Sequence, residues 1–399
     1  MRILHTGHSY TPDVGGAQEV IKQVSERLVK LGHKVTVGTA KMAERKQSII
    51  NGVRVEEFSL TGNAVVGFQG EVQRYQEFLL GGDFDLMMNY AAQQWATDLV
   101  FPILGQLTYC KILAPCGFSG LFNPEYASYF AEMPDIMKRY DHLVFHSNLY
   151  RDIEFARKHG LEHYTVIPNG ASEEEFARVN SSFRQRYGIP GDIPLILTVG
   201  THTGLKGHAL VVEAFRRARI GHAVLIIVGN SPHDRGCLHD CKRHAWWTKV
   251  VSLGRKRVLL LSLPRKDVIV AYHAADLFVF GSKVECSPIV LFEAMASRTP
   301  FVTVACGNAQ EIVNWSQGGI VIPTKQHSDG SVEANPIDMA HAIEDLVKNP
   351  KERYRLGEAG YRCWRDEFTW EKIAIRYERL YQMLVNGLPV SHCPPEAND

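Results

Sequence analysis

The chain has 399 residues, with 44 Lys+Arg against 43 Asp+Glu and a formal net charge of +1 at pH 7. That near-balance argues against a protein that grips nucleic acid by neutralising many phosphates. With 45% hydrophobic and 22% charged residues, the composition excludes disorder, a collagen-like chain and a coiled-coil rod, and the length points to two domains of ~200 residues each. No apolar run approaches the roughly 18–20 residues that span a bilayer. The start, MRILHTGHSY, lacks the charged and apolar regions of a signal peptide. Eight scattered cysteines do not form a disulfide framework. A reduced, cytoplasmic protein is expected, with peripheral contact at the inner face of a membrane left open.

Residues 2–7 form a short apolar run ending in Gly7, followed by a polar loop with Gly15 and Gly16. An amphipathic helix follows, with Val20, Ile21, Val24, Leu28 and Leu31 on one stripe, and Gly32 ends it. The β-branched run 34–40 completes a βαβ unit, which implies a parallel sheet with a right-handed crossover. Further strands are predicted at 53–58, 86–89, 111–114, 142–145 and 165–167, with helices near 70–80 and 149–158. Pro168-Asn169-Gly170 closes this half.

After Ile189-Pro190-Gly191-Asp192 the pattern restarts. A strand at 195–200 leads through the loop THTGLKG into a helix from about His208 to Ala218. Strands at 223–229, 258–263, 276–280 and 301–305 follow, each trailed by a helix. The predicted fold is α/β: two doubly wound parallel-sheet domains, 1–180 and 181–369, with a last helix at about 370–386 packing back on the first. Ligands of such folds bind at the carboxyl ends of the strands, here in a cleft that both sheets would face.

The most informative stretch runs from Glu285 to Glu293 and into Ala294-Met295-Ala296. Ser287 followed by Pro288 reads as an N-cap and a first helical residue. The free amides of that helix start suit an anion, particularly phosphate. Glu293 lies in an apolar context and needs a partner. A ribose diol or an internal arginine would serve equally.

These residues carry a resemblance. Glu-x7-Glu followed by Ala-Met-Ala and Thr-Pro-Phe-Val resembles the signature of the family 4 glycosyltransferases, retaining enzymes of the two-domain GT-B fold. Gly15-Gly16, Gly32-His33-Lys34-Val35, Ile167-Pro168-Asn169-Gly170 with Phe176, the loop Gly200 to Gly207, Gly307-Asn308 before Glu311-Ile312-Val313, and Phe368-Thr369-Trp370 are similar to family segments in the same order. The resemblance implies a donor-binding second domain and an acceptor-recognising first domain that close on each other. It implies that Glu293 holds the ribose of a nucleoside diphosphate, that Glu285 contacts the sugar, and that Lys206 pairs with the diphosphate as charge develops on the leaving group. The amides of Gly16 and those near Ile289 and Val290 would reach the phosphates, and Gly15, Thr201, Pro288, Gly229 and Asn230 belong to the same donor set. No metal or other cofactor is implied. Retention would follow from the departing phosphate helping to deprotonate the acceptor.

Two positions depart from the family pattern. Thr201 stands where the family has Arg, so a second diphosphate cation would have to come from Arg255, Arg257, Arg265 or another base. Pro115-Cys116-Gly117 stands where the family presents a His toward the donor sugar, with His5, His8 or His146 as other candidates. Catalysis is assigned to Glu285 and Lys206, and the donor to a UDP- or GDP-sugar. The acceptor is a hydroxyl of a glycan, lipid-linked saccharide or small molecule. The alternatives are a decayed nucleotide-sugar binder and a sugar-nucleotide epimerase on a GT-B-type fold.

Three weaker signals are set against plainer readings. Asp83-Phe84-Asp85 has the form of a metal–diphosphate motif but reads as turn chemistry before a strand. His233, Cys237, His239, Cys241 and His244 have possible zinc spacing but read as a polar helix. His208 and His222 read as ordinary polar residues. Trp246-Trp247 beside Lys242, Arg243 and Lys249, with Arg255-Lys256-Arg257 close behind, could touch anionic lipid head groups, against the reading of a partly buried aromatic pair.

Overall fold

The computed structural model describes residues 1–177, 182–230 and 237–390. The chain divides into two units, Met1–Asn169 with Trp370–Asp399, and Gly170–Thr369.

Unit 1 contains strands β1 (Arg2–Thr6), β2 (Lys34–Ala40), β3 (Ile49–Ile50), β4 (Val53–Phe58), β5 (Leu60–Asn63), β6 (Gly67–Gly70), β7 (Leu86–Tyr90), β8 (Cys110–Ala114), β9 (His142–Phe145) and β10 (Tyr164–Val166). Eight of them form one sheet in the order β10-β9-β8-β7-β1-β2-β4-β3, parallel except for the edge strand β3. From β1 the chain first builds outward through β2 and then returns to add β7, so the order reverses between β1 and β7. In an open parallel sheet that switch point is where a crevice opens beyond the strand ends. Strands β7 and β9 are buried throughout, as strands of a sheet covered on both faces should be. Buried His5 on β1 joins two helices to the sheet. Its Nδ1 lies 2.8 Å from Ser25 Oγ and its Nε2 3.0 Å from Tyr381 Oη. His33 and Glu378 add a 2.8 Å ion-pair contact on the same Trp370–Val385 helix.

Unit 2 contains β11 (Leu195–Val199), β12 (Ala223–Val228), β13 (Lys256–Leu261), β14 (Leu277–Phe280), β15 (Phe301–Val304) and β16 (Gly319–Ile322), an all-parallel sheet in the order β13-β12-β11-β14-β15-β16. Its switch point lies between β11 and β14. The helix His208–Arg217 follows β11 and packs its Val211, Val212 and Phe215 into the core. Its last carbonyls are collected by Lys256. That ammonium donates to Phe215 O, Arg216 O and Ala218 O at 2.7, 2.9 and 2.5 Å.

The structure departs from the sequence expectations in several places. The units divide at 169/170 rather than 180/181. The helix expected near 70–80 begins at Val72, because Gly67–Gly70 pairs with Leu60–Asn63 as a hairpin. Strand β16 has no counterpart among the expected strands, since its Gly318-Gly319 start masks the apolar run. The helix after β14 is Ile289–Ala296, capped by Pro288 without a side-chain hydrogen bond, so Ser287 is not its N-cap. Pro288 is extended (φ −72°, ψ 106°) and its carbonyl accepts from Leu291 N, which makes it the half-in residue.

Candidate functional site

The loops after β11 and β14 emerge side by side at the switch point of unit 2, because those two strands are hydrogen-bonded neighbours. The first carries Lys206, the second Glu285, and the two side chains meet: Lys206 Nζ lies 2.5 Å from Glu285 Oε1. Ser282 Oγ donates to the same carboxylate oxygen at 2.7 Å. Both groups keep some solvent contact, with side-chain exposures of 30% and 14%. Backbone closes the arrangement, since Lys283 N donates to Leu205 O at 2.8 Å. Gly207 has φ +66°, and a Cβ there would overlap the Gly281 carbonyl. Only glycine allows this approach. Gly229 serves likewise on the other side, where a Cβ would overlap the Gly200 carbonyl, and exposed Asn230 accepts from His202 N at 2.9 Å. Thr201 is exposed on the same loop.

Glu293 is buried (3% exposed) one helical turn into Ile289–Ala296. Its carboxylate pairs with Arg265, whose guanidinium also holds Glu175 at 2.7 Å. Burial, with Glu293 alongside, raises the Tyr272 phenol above its ordinary pKa. Glu293 therefore has the internal arginine that stood as the alternative to a ribose. The same arrangement answers the question of the missing cation for Arg265, which two carboxylates already match. Arg257 is spent on the carbonyls of Tyr187 and Gly188, and Arg255 on Ser252 O, both exposed. Ile289 and Val290 begin the helix half-buried, and their amides are among those left without intrahelical acceptors.

In unit 1, Gly15 caps the helix Gly16–Lys30 with no side-chain hydrogen bond, and a Cβ at Gly16 would meet nothing within 4 Å. The fold thus leaves open space at that helix start. The loops after β7 and β8 hold four non-glycine residues at positive φ: Ala91 (67°), Gln93 (64°), Cys116 (58°) and Phe118 (45°). Such conformations cost of order 1–2 kcal/mol each and gather where function constrains the backbone. Cys116 Sγ lies 3.7 Å from Tyr90 Oη, and Tyr90 Oη lies 2.9 Å from His146 Nε2. Burial pushes the His146 pKa down, but Cys116 beside it and the Ile167 carbonyl carry it above its ordinary value. Asp152 accepts from Gly117 N at 2.7 Å, and burial raises its pKa to about 6. His5 is spent on the core contacts above, while His8 is exposed.

Asp83 and Asp85 both pair with Arg2, Asp85 at 2.8 Å, at the amino end of β1 and away from the switch point, which is the turn role expected of them. Trp246 and Trp247 are 63% and 49% exposed, so they are not a buried pair. Of the His/Cys cluster, His233 lies outside the described residues, and Cys237 and Cys241 turn inward toward His202 and His208. Sequence reasoning missed those two histidines, together with Ser282 and Glu175. The missed signal was His-x5-His in the loop after β11 facing Cys-x3-Cys beyond the neighbouring strand.

Comparison with known proteins matches residues 179–363 to the family described as glycosyl transferases group 1. The chain is 24% identical over 408 residues to the uncharacterized glycosyltransferase MJ1607 of Methanocaldococcus jannaschii, covering 96% of this chain and 98% of that protein. Sucrose-phosphate synthase from Thermosynechococcus elongatus superposes with a TM-score of 0.77 at 20% identity, covering 97% and 99% of the two chains. HepE from Anabaena, in complex with UDP-glucose, superposes with a TM-score of 0.71 at 16% identity, covering 96% and 99%. Two parallel-sheet units of this topology identify a chain of GT-B fold, and the match to the group 1 glycosyl transferases lies on the unit that brings Lys206 to Glu285.

Proposed function

We propose that this protein is a retaining glycosyltransferase that moves a sugar from a UDP-sugar, or a GDP-sugar, to a hydroxyl of a saccharide, lipid-linked saccharide or small molecule. The observation that carries this reading is the meeting of Lys206 and Glu285 at the switch point of unit 2. A bound diphosphate would draw the ammonium away from Glu285, and Lys206 would then stabilise the leaving group as its charge grows. Glu285, freed from the lysine but still held by Ser282, would accept hydrogen bonds from the sugar's hydroxyls. The amides of Ile289 and Val290 and the Gly229-Asn230 turn would complete the phosphate and nucleoside contacts. Lys206 and the helix start supply the positive charge that this chemistry needs, so the transfer is proposed to proceed without a metal. Because Arg265 engages Glu293, we assign Glu293 first to keeping that arginine in place and second to the ribose. Gly15 and Gly16 remain unit 1 candidates for phosphate contact.

UDP-glucose in HepE is the precedent for the donor class. A thermal-shift screen across UDP-, GDP- and ADP-sugars tests the choice, since a ligand at 100 times its dissociation constant stabilises by about 2.7 kcal/mol. Slow donor hydrolysis without acceptor supports the enzyme. Donor binding with no turnover on any acceptor would leave a decayed binder instead.

The protein is further proposed to act at the cytoplasmic face of a membrane. No helix among the described residues is long and apolar enough to cross one. Trp246, Trp247, Val250, Val251 and Leu253 are exposed together beside Lys242, Arg243 and Lys249, the pairing of apolar and basic groups that suits an anionic lipid surface. Replacing both tryptophans by Ala should abolish co-sedimentation with anionic vesicles; unchanged co-sedimentation would sink the idea.

A further inference from the structure

Four potential ligand atoms converge beside the Lys206 loop: His202 Nδ1, His208 Nδ1, Cys237 Sγ and Cys241 Sγ, all within 4.8 Å of one another. The two nitrogens are 3.3 Å apart, Cys237 Sγ is 3.5 Å from His202 Nδ1 and 3.7 Å from His208 Nδ1, and the two sulfurs are 3.8 Å apart. A tetrahedral zinc ion with Zn–N of about 2.0–2.1 Å and Zn–S of about 2.3 Å requires ligand edges of about 3.3 Å (N–N), about 3.6 Å (N–S) and about 3.8 Å (S–S). These four distances follow that pattern, and the two edges from Cys241 Sγ to the imidazole nitrogens lie within 4.8 Å. Hydrogen bonding alone gives no reason for two imidazole nitrogens and two thiols to crowd one point, since thiols are weak donors and weak acceptors.

The scaffold explains how the four arrive there. β11 and β12 are parallel neighbours, so the loops beyond their ends lie together. His202 is in the first loop and His208 opens the helix after it. Cys237 and Cys241 sit one turn apart at the start of the helix Leu238–Val251. Cys237 N donates to His202 O at 3.1 Å, which fixes the two segments against each other. His202, His208 and Cys241 are each only 1% exposed.

We propose that these four residues bind one zinc ion. With four protein ligands the tetrahedron is closed, so the ion would be structural, clamping the loop that carries Thr201 and Lys206 to the start of the Leu238–Val251 helix. An S2N2 donor set of this shape suits zinc among the common divalent metals. The expectation of a metal-free protein would then fail for the fold. The inference stands apart from the proposed sugar transfer, because its readout is metal content.

The test uses the tag-free, full-length protein purified under reducing conditions. Elemental analysis should find about one zinc per chain, and Cys241→Ser or His208→Asn should lower that at least ~10-fold. His239→Ala and His244→Ala, on the same helix but outside the cluster, should leave it unchanged. Exchange of zinc for Co(II) in the wild-type chain should give the visible bands of tetrahedral cobalt with a thiolate charge-transfer band, a result that does not depend on any variant folding. Zinc below ~0.1 per chain with no cobalt spectrum would overturn the proposal. So would a Cys237–Cys241 disulfide found by mass spectrometry in place of metal.

Discussion

The two units share a topology but shape their switch points by different means. In unit 2 the loops after β11 and β14 are laced by polar pairs and glycine contacts: Lys206 on Glu285, Ser282 on Glu285, Gly207 against Gly281. In unit 1 the corresponding loops after β1 and β7 carry no such ion pair among the described residues. There the backbone itself is distorted, with Ala91 and Gln93 after β7 and Cys116 and Phe118 after β8 all at positive φ. One unit offers fixed charge, which suits a ligand common to a reaction class. The other offers backbone held in rarely populated conformations.

The largest effect should come from removing the charge. Lys206→Met should lower kcat by about 10²–10³ with little change in melting temperature. Retention of more than a tenth of the activity would break the assignment of the chemistry to unit 2. Glu285→Gln, measured in the same assay, should also lose turnover rather than stability. Glu293→Ala should behave differently and cost about 2–3 kcal/mol in unfolding free energy, because it leaves Arg265 with Glu175 alone in a partly buried setting. If urea titration shows no loss, the pair contributes nothing to the fold and the ribose role regains ground.

Smaller effects probe unit 1. Burial lowers His5 to a pKa of about 3. Its folded pKa lies below its unfolded one, so as pH falls through 6.5 the unfolded chain takes up a proton first. Stability present above pH 6.5 should therefore be lost toward pH 3, by at most ~1.4 kcal/mol per pH unit from this residue. His5→Gln should flatten that slope in melting curves between pH 4 and 7; an unchanged slope would remove His5 as the cause. Smallest, Ala91→Gly should raise stability by up to about 1 kcal/mol by relieving its positive φ. Destabilisation would mean the conformation is not strained.

The sheets could be read from sequence because buried parallel strands are short apolar runs separated by glycine loops and amphipathic helices. What escaped was weakly patterned: β16 behind two glycines, and the Leu60–Asn63 hairpin partner with glycines at each bend. Of the site, Lys206 and Glu285 could be named one by one, while their meeting depended on the adjacency of β11 and β14 across 79 residues of chain. Glu293 was recognised as needing a partner, but nothing local chose between arginine and ribose, since Arg265 is 28 residues away. The histidines at 202 and 208 were passed over for the same reason. Ligands on neighbouring strand ends are invisible to a reading that looks for close spacing along the chain.

The ammonium of Lys256, seated on the last carbonyls of His208–Arg217, bears on events at the other end of that helix. It offsets the negative pole, leaving the positive pole beside Lys206 less opposed. Burial lowers the Lys256 pKa to about 8, so this bias weakens as the solution turns alkaline.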